Sequence, residues 1–151
     1  MSILEYYKKN FLNIDPLFAF LIAVAIFYFN LGNMFMGEFK SDFYISVSTI
    51  GGTLLGFIIT TLTIILNFVT AQELKELENA KNTKKDIFKT YISTMKWLTS
   101  LTVISLIILI LPNFSNIILS FLSIFIGIVV ILRLFWCFWI LENLVKIIYL
   151  K

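Results

Sequence analysis

Apolar residues fall in four long runs along this chain: Pro16 to Met36, Ile45 to Ala71, Ile92 to Leu111 and Ile117 to Leu141. A bilayer core about 30 Å thick needs about 20 residues of helix to cross it, and each run meets that length. The expected fold class is therefore all-α, a polytopic membrane protein with four transmembrane helices. One domain covering residues 1–151 accommodates them, with a homo-oligomeric helical bundle as the expected assembly. Asp15 followed by Pro16 reads as the entry to the first helix, since Asp can cap free amides and proline at the first position lacks a donor. Pro112 and Asn113 read as the stop of the third. The second and fourth runs exceed what a bilayer requires, so those helices must tilt, bend or project.

Two polar pieces flank the spans. Residues 1–15 begin with a capping box, Ser2 with Glu5, and place Ile3, Leu4, Tyr7, Phe11 and Ile14 at helical spacing. This suits a segment lying in the membrane interface, or equally a helical lead-in to the first span. Residues 71–91 read as a cytoplasmic helical hairpin. Ala71 to Ala80 continues the second helix, the chain turns near Asn82, and Thr83 with Asp86 boxes the start of the third.

Composition narrows the class further. Of 151 residues 60% are hydrophobic and 14% charged, with no His and one cysteine, Cys137. Zinc sites, thiol relays and His-based acid/base chemistry lack their raw material, so neither an enzyme nor a cofactor is expected. The net charge of +3 comes without a basic stripe interleaved with aromatics, so direct nucleic-acid binding is not expected either. The first fifteen residues hold no continuous apolar run, so no cleavable signal peptide is expected. The lysines report orientation instead. Lys8 and Lys9 precede the first span, Lys75, Lys81, Lys84, Lys85, Lys89 and Lys96 lie between or flank the second and third, and Lys146 and Lys151 follow the fourth. The loop after the first span carries Lys40 alone and the loop after the third carries none. By the positive-inside rule both termini and the hairpin are cytoplasmic, which suits a multi-pass protein of a bacterial inner membrane.

The candidate site is on the second helix. Thr49, Thr53, Gly56, Thr60, Thr63, Asn67 and Thr70 follow one another at steps of four and three, a single stripe from one side of the membrane to the other. In one reading small residues permit close helix packing and the threonines bond back to their own helix. In the other, copies of the stripe line a wet, uncharged pathway in a homo-oligomer. A shorter row on the first helix, Ala19, Ala23, Ile26, Asn30, Asn33 and Gly37, reads as a packing face against the second helix. Asn116, Ser120, Ser123 and Gly127 on the fourth read as packing too.

Arg133 reads as the charge inside a span. Counted from Asn116 it lies about 25 Å along the helix, beside Trp136 and Trp139, so a snorkelling anchor and an anion-attracting charge at an inner mouth are its two readings. No Asp or Glu is expected inside a span, which leaves a proton-coupled transporter without its coupling group. Glu73, Glu76 and Glu78 followed by Lys81, Lys84, Lys85 and Lys89 make the 71–91 hairpin the surface for a cytoplasmic sensor or an anionic ligand.

The run Gly52 to Leu66, GTLLGFIITTLTIIL, resembles the second span of the RexB-like phage exclusion proteins, small four-span inner-membrane proteins. The shared features are Gly52-Thr53 near the start, Leu62-Thr63 ten residues on, a polar basic linker after the span, and Tyr91 entering the third. This resemblance implies an ion-conducting effector that depolarises an infected cell when an intracellular sensor triggers it, aborting phage growth. A holin-like lysis protein is the neighbouring alternative, and a non-conducting membrane-binding subunit or immunity protein the alternative of a different class.

Overall fold

The computed structural model describes residues 3–29, 40–69, 81–110 and 117–149, all helical but Phe29 at the turn after the first helix. The helices are α1 (Ile3–Tyr28), α2 (Lys40–Val69), α3 (Lys81–Ile110) and α4 (Ile117–Tyr149). Each contains a stretch long and apolar enough to cross a membrane: Asn10–Tyr28, Ser41–Ile65, Ile87–Ile110 and Ile118–Glu142. At 26, 30, 30 and 33 residues they are about 39 to 50 Å long, so all four exceed a bilayer core and not only the second and fourth. Thr70 and the 71–80 part of the hairpin lie outside the described residues. The 81–91 part is the first three turns of α3, with Asn82 inside the helix rather than at a turn.

α1 agrees with the reading of the N-terminal piece as a helical lead-in and corrects that of Asp15-Pro16 as the helix entry. It runs without a break through Pro16, so residues 3–14 belong to the same helix as the span, and Asp15 is an interior residue rather than a cap.

The packing order is α2, α3, α4, α1: α3 lies against α2 and α4, and α1 against α4. The pairing of α1 with α4 is antiparallel, with Phe11 on Trp136 at 4.5 Å between ring centroids and Phe27 on Phe121 at 5.2 Å. The pairing of α3 with α4 is antiparallel as well, with Thr94 beside Cys137 and Trp97 edge-on to Phe125. The starts of α1 and α3 and the end of α4 thus share one end of the bundle. The main core joins α2, α3 and α4 through Ile58, Ile65, Tyr91, Leu98, Leu101, Ile126, Val130 and Cys137. Tyr91 also donates its hydroxyl to the Cys137 carbonyl at 3.2 Å.

Ala19 and Ala23 are fully buried, and the helix they face is α4, not α2 as expected. Their lack of side-chain bulk lets the two backbones approach, which in lipid stands in for a hydrophobic driving force. Ser120 and Ser123 are buried on α4 as a packing face requires. Apolar side chains such as Leu17, Phe18, Leu21, Phe135 and Phe138 point outward, forming the surface a bilayer would cover.

Candidate functional site

α2 has two opposed faces. Gly51, Ile58, Thr61 and Ile65 are buried, and Gly51 lies so near Thr102 of α3 that a Cβ there would stand 2.6 Å from the threonine hydroxyl. Thr49, Thr53, Gly56, Thr60, Thr63 and Asn67 lie on the other side and are all exposed. At 100° per residue their row stands about half a turn from Ile58, turned away from α3. The polar stripe is therefore not what joins α2 to the rest of the chain. A Cβ at Gly56 would meet nothing within 4 Å.

The threonine hydroxyls of the stripe are occupied locally. Thr49, Thr53, Thr60 and Thr63 donate to the carbonyls of Ile45, Thr49, Gly56 and Ile59 at 2.9 to 3.0 Å. Each hydroxyl oxygen keeps acceptor capacity on the outer face while its proton is held by the helix.

The second constellation lies between α1 and α4. Arg133 is 1% exposed, which gives it a different position from either a snorkelling anchor or a charge at an inner mouth. Its Nε is 3.5 Å from Oδ2 of Asp15, itself fully buried. Its Nη2 donates to the Leu12 carbonyl at 2.6 Å, and the guanidinium carbon lies 5.2 Å from the centre of the Phe11 ring. Asp15 is about 8 Å from the Asn10 end of its span and Arg133 about 14 Å from the Glu142 end of its own, counting 1.5 Å per residue. A carboxylate thus lies inside an apolar span where none was expected, and it is held against an arginine. Leaving either charge alone in this setting would be costly, whereas the pair, the backbone carbonyl and the aromatic face compensate one another.

The structure brings Asp15, Leu12, Phe11 and Arg133 together where α1 packs against α4. A sequence signal for Asp15 was available. Phe11, Asp15, Ala19 and Ala23 recur every four residues and are all buried, so the small-residue row of α1 extends backwards through the acid. The Asp-Pro pair drew the helix start to the wrong place and hid that continuation. Lys96 also lies inside an apolar span, Ile87–Ile110. Among the described residues no group of three or more His, Cys, Asp or Glu converges as a metal site would require. No family model matches this chain, and neither curated proteins nor solved structures include a match to it.

Proposed function

We propose that several copies of this chain assemble into a membrane ion channel, with the polar face of α2 lining the pathway. The observation that carries this reading is the exposure of Thr49, Thr53, Gly56, Thr60, Thr63 and Asn67 on the single chain. The hydroxyl oxygens of this row keep acceptor capacity that water or another protein surface can meet and acyl chains cannot, and the row is exposed on the single chain. A ring of such faces offers hydroxyl oxygens and no charge, which suits a passive conduit for ions. Asp15 does not turn the proposal into a proton-coupled carrier, because its charge is spent on Arg133.

The depolarising role in phage-infected cells rests on the resemblance around Gly52 to Leu66 and is part of the same proposal, as are a bacterial inner membrane as its location and a sensor or anionic ligand acting at residues 71–91. The test is conductance of the purified protein in a planar bilayer, followed by a potential-sensitive dye in infected cells with and without the gene. Discrete conductance and loss of potential are expected. A protein that is oligomeric yet conducts nothing would end the channel reading.

One observation favours a second reading. The back-bonded threonine hydroxyls let α2 lie against another helix without an unmet donor, which suits a non-conducting membrane subunit that associates through the same face.

A further inference from the structure

α3 carries five lysines and one acid, and two of the lysines, Lys89 and Lys96, fall inside its apolar span Ile87–Ile110. Both side chains are exposed, and neither forms an ion pair among the described residues. Seven residues apart, they share one face of the helix at about 10 Å along its axis. Lys96 is about 14 Å from Ile87 on the same scale, too deep for its ammonium to sit in water without reaching back along its own stem. The surface around it is formed by Ile92, Met95, Thr99 and Ser100 of the same helix.

An ammonium at this depth requires a counter-charge. Among the acids whose exposure is described, Asp42 and Glu142 are the exposed ones, each at an extreme end of its span. The antiparallel contact of Thr94 with Cys137 puts Lys96 near the level of Arg133, where Asp15 is already buried against the arginine. Among the described residues a second copy of the chain therefore offers no exposed carboxylate at the level of Lys96, whereas a lipid headgroup can meet the snorkelled ammonium. The hydroxyls nearby sharpen the ligand class. Thr99 donates to the Met95 carbonyl and Ser100 to the Lys96 carbonyl, both at 2.9 Å, so the lysines are the available donors and the ligand is an anion rather than a neutral sugar headgroup. Ile92 and Met95 supply an apolar wall for its chain.

We propose that this face of α3 binds an anionic glycerophospholipid, with its phosphate held by Lys96 and Lys89 and an acyl chain lying along Ile92 and Met95. The site is independent of the α2 face and of any conductance.

Native mass spectrometry of the full chain in detergent, titrated with phosphatidylglycerol or phosphatidylcholine of identical acyl chains, tests it. Each lysine near a headgroup contributes about fivefold in affinity, so the wild type should prefer phosphatidylglycerol by about tenfold or more. Lys96→Met should remove about fivefold of that preference, Lys89→Met/Lys96→Met nearly all of it, and Lys96→Arg should keep it. Lys146→Met, beyond the α4 span, should leave it unchanged. Equal binding of the two lipids by the wild type, which needs no variant to fold, would overturn the proposal, as would a preference surviving in Lys89→Met/Lys96→Met. Displacement of phosphatidylglycerol by an equal concentration of glycerol phosphate would assign the site to a soluble anion and equally overturn it.

Discussion

Arg133 on α4 donates a hydrogen bond to the carbonyl of Leu12 on α1, the acceptor that Pro16, four residues on and lacking an amide hydrogen, cannot serve. A proline inside a helix removes one rung of its ladder, and in a bilayer an unserved carbonyl has no water to turn to. The arginine supplies that rung from a neighbouring helix while its Nε faces Asp15. One side chain thus settles two local problems of α1, an interior proline and a buried acid.

A thermodynamic cycle follows from this relationship. Arg133→Met or Asp15→Leu alone should cost about 3–5 kcal/mol, since each strands a buried charge, whereas the double variant should recover a large part of the loss. In a Pro16→Ala background the Leu12 carbonyl regains its own amide partner, and Arg133→Met should then cost about 1 kcal/mol less than in the wild type. Thermal unfolding in detergent would measure the four corners. Identical costs with and without Pro16 would show that the carbonyl contact contributes nothing.

The two faces of α2 should respond oppositely to the same small change. Gly51→Ala places a methyl 2.6 Å from the Thr102 hydroxyl and should destabilise the chain by about 1–3 kcal/mol, with Thr102→Ala restoring it. Gly56→Leu enters open space on the single chain, so it should leave chain stability nearly unchanged and show its effect in assembly. Unfolding curves paired with size measurements separate the two. A Gly56→Leu chain that unfolds early but assembles normally would contradict the assignment of faces.

Conductance distinguishes a wet stripe from a packing one. Thr60→Val/Thr63→Val nearly preserves shape and removes two hydroxyls that bond only to their own helix, so oligomers should persist while a narrow pathway becomes prone to dewetting. Single-channel current should fall with oligomer size unchanged. Unaltered current would move the pathway away from α2.

Orientation is open to labelling. With Cys137 replaced, a cysteine at Asn82 should be protected from an impermeant reagent in intact cells and one at Ser41 should react, because lysines concentrate around the former. The reverse pattern would invert the topology.

Four spans were legible in the chain because lipid imposes a length and a hydropathy that a run of apolar residues displays directly. The α2 stripe was legible for a related reason, since its spacing is a property of one helix and needs no partner to be recognised. The same local logic misled at Asp15-Pro16. A carboxylate before a proline has the form of a helix cap, and only a neighbouring arginine makes it tolerable as an interior residue.

By itself, then, the order of residues determined which segments are helical, which stretches are long and apolar enough to cross a membrane, and which residues share a helix face. Tertiary structure decided which faces meet: Ala19 and Ala23 against α4 rather than α2, Arg133 inward to Asp15 and Leu12 rather than out to the interface, and the threonine row of α2 outward. Helical periodicity is written along one chain segment. The partner of a face depends on how four such segments share space, and in a bilayer, where every helix is apolar on most of its surface, hydropathy alone distinguishes those arrangements poorly.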